Sequence, residues 1–327
     1  MKIIDGHTHI ASTRYTPQEF FDGIADNMAE QSRISPVTLS KSKILDRILA
    51  SYQDHDASAQ IREMDNLGIE KSIVLLPDFT YVLKSGGLSI EEMYLEHKKI
   101  LDRNRGRLEV FAGVDPRWGV DGFQLFKKGI EEYGFIGMKL YPPCGYRPDS
   151  KLLTPYYEYC NEFGLPVLIH IGETSPVLSF SEAMPMYIDE PARKYRNIPF
   201  ILAHGAVNYQ DQCVRLCKYR PNVYLDLSGA QSKVANMGEN NELVKLFRSG
   251  INHKIIFGTD WPIVSRTNMN RGLISMLSTD EEKPYITTSD ARFVLSGNME
   301  RILSRAHLAL KGNYIIQNNA PCEITMA

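Results

Sequence analysis

Short apolar runs alternate with longer amphipathic stretches along the whole chain. The runs lie at 2–10, 71–77, 108–116, 134–142, 165–172, 198–206, 223–229 and 254–262. Their centres are nearly unbroken in Val, Ile, Leu and Phe, as in Ile73-Val74-Leu75-Leu76. Strands covered on both faces read this way, because neither face alternates with water. Between the runs, 3.6-residue spacing predicts helices near 56–67, 91–104, 120–132, 153–163, 184–195, 210–220, 239–249 and 288–304. In the first of these, Ile61, Met64 and Leu67 share one face and Gly68 marks the stop. Eight strands alternating with helices predict an α/β fold, a (β/α)8 TIM barrel. A doubly wound open sheet is the alternative, but no Gly-rich phosphate loop follows any run.

Two segments break the alternation. Residues 11–55 follow the first strand as a long insertion with its own apolar positions, including Phe20, Phe21, Ile44 and Leu45. A loop of that length in a compact domain is usually functional or carries helices. It reads as a cap over the catalytic end of strand one, with a homodimer contact as the alternative. Residues 305–327 read as an accessory tail on the outside. No linker or composition break divides residues 1–327, so a single barrel domain is expected.

Composition narrows the partners. Of 327 residues, 43% are hydrophobic and 23% charged, with a net charge of -2. That balance gives no electrostatic case for nucleic acid or an anionic membrane. No apolar run is long enough for a transmembrane helix, and no secretory leader is visible before the first strand. The five cysteines, Cys144, Cys160, Cys213, Cys217 and Cys322, are scattered and odd in number. Reduced thiols in a cytoplasmic protein are expected, with Cys213 and Cys217 facing a core.

The chemistry concentrates at strand ends, where barrels of this type place catalytic groups. His7 and His9 stand one residue apart in the first run and would project to the same side of a strand. Lys139 ends the fourth run, His170 the fifth, His204 the sixth and Asp260 the eighth. Four of the eight histidines thus fall at these ends; His55, His97, His253 and His307 do not and are assigned no role. Each residue alone has a plainer reading. A histidine at the end of an apolar strand is often a hydrogen-bonded core residue, and Asp260 suits a helix N-cap. Imidazole and carboxylate together suit a divalent metal such as Zn²⁺.

The set His7-x-His9, Lys139 in GMKLYP, His170 in PVLIHIGE, His204 in FILAHGA and Asp260 in IIFGTDWP resembles the amidohydrolase superfamily. It is most similar to the amidohydrolase-related branch that includes metal-dependent decarboxylases and lactonases. The resemblance runs from strand one to the segment 295–303, leaving out the insertion and the tail. It implies a distorted TIM barrel with one metal, Zn²⁺ first, Mn²⁺ or Fe²⁺ as alternatives. It implies His7, His9, His170 and Asp260 as ligands, and His204 as a second-metal ligand or acid–base group. Asp260, His204 and Lys139 would be catalytic. In binuclear members a lysine at the Lys139 position is carboxylated and bridges two metals; an unmodified Lys139 is the plainer expectation.

Tyr141, Arg147 and Trp261 are candidate substrate contacts, with Glu173, Arg14 and Arg47 as further ones. Asp115 and Asp226 are expected to support or orient the ligands. The expected activity is hydrolysis of a small amide, lactone or ester by a metal-activated water. The alternative is non-oxidative decarboxylation of an aromatic or unsaturated carboxylic acid by the same residues. A binding protein that has lost catalysis is disfavoured, because no member of the ligand set is missing.

Overall fold

The computed structural model describes residues 1–34, 38–84, 87–235, 237–238, 240–263, 267–278 and 283–318. Eight parallel strands follow one another around a barrel in chain order. They are β1 (Ile4–Thr8), β2 (Lys71–Leu76), β3 (Leu108–Gly113), β4 (Gly137–Leu140), β5 (Val167–His170), β6 (Phe200–Ala203), β7 (Val223–Asp226) and β8 (Ile255–Ile256). Each predicted run contains one strand, but the ladders are shorter than the runs. The apolar signal continues into buried turn residues such as Phe257 and Leu227, which pack without pairing in a ladder.

The helices on the outside are α1 (Gln18–Ser32), α2 (Lys41–Ser51), α3 (Ser58–Leu67), α4 (Ile90–Arg103), α5 (Gly119–Glu131), α6 (Thr154–Phe163), α7 (Asp189–Lys194), α8 (Gln210–Tyr219), α9 (Glu242–Phe247), α10 (Thr267–Ser278), α11 (Thr288–Arg292) and α12 (Asn298–Asn318). Gly68 closes α3 in the left-handed conformation (φ 70°), as its position suggests. Ser89 and Glu92 form a reciprocal cap on α4. Cys213 and Cys217 are buried on α8 as free thiols; Cys322 and the rest of the tail from 319 lie outside the described residues. The helix α10 has no counterpart among the predicted ones. No helix of the described residues is long and apolar enough to cross a membrane.

The insertion forms α1 and α2, which pack on each other and reach the strand ends. Ser175 donates to the Phe20 carbonyl at 2.7 Å, and the Phe20 ring sits 4.9 Å from that of Phe79.

The barrel closes between β8 and β1 without a regular ladder. Gly6 N–H donates to the Phe257 carbonyl (2.8 Å), Asp260 N–H to His7 (2.9 Å) and His9 N–H to Trp261 (2.7 Å). On the far side of β1 from this seam, its register with β2 shifts between Asp5 and Thr8. This seam needs close approach at Gly6. A Cβ there would lie 2.5 Å from Ile256 Cγ2, 2.8 Å from Met299 Cε and 3.1 Å from the Phe257 carbonyl. Met299 can yield, whereas the branched Ile256 cannot without moving β8. Gly6→Ala is expected to cost about 1–3 kcal/mol through overpacking, read as a lower urea midpoint at unchanged slope. An unchanged midpoint would show the seam to be looser than drawn.

Candidate metal centre

Five side chains converge at the C-terminal mouth of the barrel. His7 comes from β1 and His9 from just past it. His170 ends β5, His204 follows β6, and Asp260 lies in the turn after β8. The ring centroids of His7 and His9 are 5.3 Å apart, those of His7 and His204 4.8 Å, and those of His170 and His204 4.9 Å. Asp260 Oδ1 lies 3.4 Å from His7 Nε2 and 3.6 Å from His9 Nε2. Ligand atoms of His7, His204 and Asp260 all lie within 4.8 Å of one another, a group that could hold a metal ion.

Hydrogen bonding fixes the tautomer of each ring. His7 Nδ1 lies 2.7 Å from the Asp226 carboxylate, and His9 Nδ1 donates to the Leu75 carbonyl at 3.0 Å. His170 Nε2 donates to the Glu173 carbonyl at 3.0 Å. His204 Nδ1 is 2.8 Å from Ser228 Oγ, whose own hydrogen goes to Asp226 Oδ1 at 2.5 Å. Each partner accepts, so the opposite ring nitrogen of every histidine is a bare lone pair. Among the described residues, the buried His7 Nε2, Asp260 Oδ1 and Lys139 Nζ have no hydrogen-bond partner.

Lone pairs and a carboxylate oxygen gathered out of water need a cation among them. Bonds of about 2.1 Å to a tetrahedral ion would set neighbouring ligand atoms about 3.4 Å apart. The Asp260–His7 and Asp260–His9 separations match that spacing. Burial, with the positive charges of the neighbouring histidines and Lys139, drives His7, His9 and His170 well below the ordinary imidazole range, and burial lowers His204 too. The neutral rings are the form that binds metal. Burial, then the Asp226 charge, lifts Asp260 to about 7, with Lys139 opposing. Burial lowers Lys139 to about 8 against the pull of Asp226 and Asp260. The residues present therefore fit a divalent cation.

The backbone is strained where the site is made. His204 (φ 61°) and Asp260 (φ 58°) both adopt the left-handed conformation that side chains seldom take. Two buried carboxylates hold them there. Asp226 Oδ1 accepts the His204 N–H at 2.8 Å and the Ser228 N–H at 3.1 Å. Asp5 accepts the N–H (3.0 Å) and hydroxyl (2.6 Å) of Thr259 and the N–H of His7 (3.1 Å). The Gln231 amide donates to the carbonyls of Gly258 and Thr259 at 3.0 and 2.9 Å. Asp5, Ser228 and Gln231 were not singled out from the sequence. Asp5 did carry a signal: a carboxylate inside an apolar strand must be compensated.

A cleft of about 550 Å³, its open mouth included, stands over these residues. His9, His170, His204 and Asp260 border it, while Tyr15, Phe20, Tyr52, Phe79 and Tyr141 form aromatic walls. Tyr141 stacks 4.4 Å from His170 and shares a 2.5 Å hydrogen bond with Thr174. A second lobe, containing Glu173, Thr174 and Asn208, joins it across His204 and Asp260.

Other candidate contacts lie elsewhere. Arg147 pairs with Asp149 at 2.9 and 2.5 Å and stacks on Tyr187. Trp261 bridges to Thr8 at the barrel seam and is not among the cleft residues. Arg14 lies 3.7 Å from Glu96, and Arg47 is exposed. Asp115 holds Arg117 at 2.8 and 2.6 Å, away from the histidines. His97, assigned no role from the sequence, lines the cleft.

Similar folds occur in solved structures of low identity. An uncharacterized TIM-barrel protein from Bordetella bronchiseptica aligns with TM-score 0.67 at 18% identity, covering 94% of this chain and 100% of that one. A 4-oxalomesaconate hydratase from Rhodopseudomonas palustris aligns with TM-score 0.60 at 15% identity, covering 96% and 99%. A 5-carboxyvanillate decarboxylase from Novosphingobium aromaticivorans, complexed with manganese and 4-hydroxy-3-methoxy-5-nitrobenzoic acid, gives TM-score 0.61 at 14% identity, covering 93% and 96%. No curated protein matches the sequence significantly. The amidohydrolase family model matches residues 4–304, and the chain belongs to that family.

Proposed function

We propose that the protein is a metal-dependent lyase that removes CO₂ from a small, flat, aromatic or unsaturated carboxylic acid. The observation that carries this reading is the pairing of bare metal ligands with a cleft walled by aromatic rings. Flat apolar walls favour a planar conjugated body, by stacking and edge contacts. The manganese-bound decarboxylase among the similar structures supports the same choice.

In this reading His7, His9, His170 and Asp260 would hold one Zn²⁺ or Mn²⁺, with His204 facing the same point. The bound ion would supply Lewis acidity towards a substrate oxygen. The bond from the carboxyl to its neighbouring carbon breaks, its electron pair stays on that carbon, and CO₂ leaves. The carbon then takes a proton from Asp260, which holds the one given up by the substrate's carboxyl group. Phe20 and Tyr52, brought by the insertion, help exclude water, which gives α1 and α2 the role of a cap. Lys139, unmodified and below Tyr141, offsets the charges of Asp226 and Asp260.

Hydrolysis is the second reading. The second lobe, where Glu173, Thr174 and Asn208 stand among apolar residues, favours it, because it opens another way for water to reach Asp260. The test is to load the protein with Zn²⁺ or Mn²⁺ and offer hydroxybenzoates and conjugated dicarboxylates. CO₂ release in D₂O with one deuterium at the vacated carbon is expected. Acid release from lactones or esters with no CO₂ from any acid would replace this reading with hydrolysis.

A further inference from the structure

His97 is 1% exposed, on the buried side of α4, yet it lines the cleft. Its Nδ1 lies 2.8 Å from the Met93 carbonyl, one turn earlier on the same helix. A carbonyl only accepts, so Nδ1 carries the proton and Nε2 is an acceptor. Among the described residues nothing bonds to Nε2, and Nε2 is not one of the fully enclosed unpaired polar atoms, which leaves it within reach of the cleft. The neighbouring ring is Tyr15, 4.8 Å away, whose hydroxyl is committed to the His55 carbonyl at 3.2 Å. Apart from the metal-site residues, the lining of this cleft is mostly apolar, with Leu76, Pro77, Phe20 and Phe79, and Thr16 and the tyrosines as its other polar side chains. A lone acceptor in an apolar wall is costly unless something fills it.

We infer that His97 is a specificity-determining residue, whose Nε2 accepts a hydrogen bond from a hydroxyl or N–H group on the substrate body. The inference rests on the reading of this cleft as the substrate site. It does not depend on which bond is broken there. The acceptor selects for a donor at that point of the ring and against an analogue carrying hydrogen, alkyl or halogen in its place. Covering this acceptor with a ligand that cannot donate, and not the loss of area, sets the discrimination.

Phenol and fluorobenzene make the probe pair: similar in size, and only phenol donates. Their binding to the full-length, metal-loaded protein is to be measured by calorimetry and by ¹⁹F displacement. Phenol is expected to bind about tenfold more tightly, the usual scale of one neutral hydrogen bond. His97→Leu should erase that preference while fluorobenzene affinity holds. His97→Gln, whose side-chain carbonyl can stand in for Nε2, should restore part of it and guards against loss of folding in the leucine variant. Equal binding of the two probes to the wild type, or an intact preference in His97→Leu, overturns the inference. Absence of metal uptake and of CO₂ release would defeat the lyase reading while leaving the phenol preference to decide this one.

Discussion

Asp260→Asn is expected to lower turnover by about 10³-fold or more, within the range assigned to acid–base groups. In metal-free protein above pH 7 it is also expected to raise stability. Both follow from one feature, a carboxylate placed without a compensating donor. Among the described residues Asp260 Oδ1 has no hydrogen-bond partner, and the residue sits in the left-handed conformation. Its folded value of about 7, raised from 3.8 by burial first and by Asp226 next, means that the fold favours the protonated acid. The stability it contributes is whole below pH 3.8 and is lost as pH rises through 7. The difference amounts to about 4 kcal/mol at most. Asparagine does not ionise and tolerates the left-handed region well. The melting temperatures of wild type and variant should therefore meet in acid and separate above neutrality, with the variant higher. Turnover within tenfold of wild type would remove Asp260 from the chemistry. A variant that melts lower at pH 8 would show that Lys139 compensates the charge more fully than the geometry suggests.

How much of this was legible follows from what kind of order each part represents. Buried parallel strands write themselves as apolar runs, so eight strands and their order could be read directly. The ligand-type residues stood at the ends of those runs, and barrels present strand ends to one mouth. What could not be read is order that depends on approach across the barrel. Ser228 matters because it lies between His204 and Asp226, and nothing local in Leu227-Ser228-Gly229 announces it. Asp5 braces Thr259 from the far end of the chain. His97 sits on a helix whose periodicity marks it as core, and only the fold reveals that the core there is a cleft wall. Conversely, Arg147 suited a carboxylate clamp by chemistry but finds Asp149 two residues on. The residues that make the ligands usable are thus less visible than the ligands.

Asp226→Asn tests the layer behind the ligands, of which the sequence offered Asp226 itself but not its hydrogen bonds. It should weaken metal binding by about 10- to 100-fold, the usual cost of losing a partner of a ligating histidine. Asp226 Oδ1 accepts from the His204 N–H, the Ser228 N–H and the Ser228 hydroxyl, while Oδ2 meets His7 Nδ1. Asparagine has one acceptor oxygen. Turned to satisfy the three donors, it presents its amino group to His7, donor against donor. The relief open to His7 is to move its proton to Nε2, where Asp260 Oδ1 waits 3.4 Å away. That tautomer has no lone pair for a metal, so the variant folds with the ring in place and the ligand lost. Competition with a chromophoric chelator reads the affinity, and ¹⁵N chemical shifts of the imidazole read the proton's position. Asp226→Ala is the contrast: it leaves buried donors without an acceptor and should cost about 3–5 kcal/mol of stability as well. Unchanged metal affinity in Asp226→Asn, with the His7 proton still on Nδ1, would break the link between this carboxylate and the ligand set.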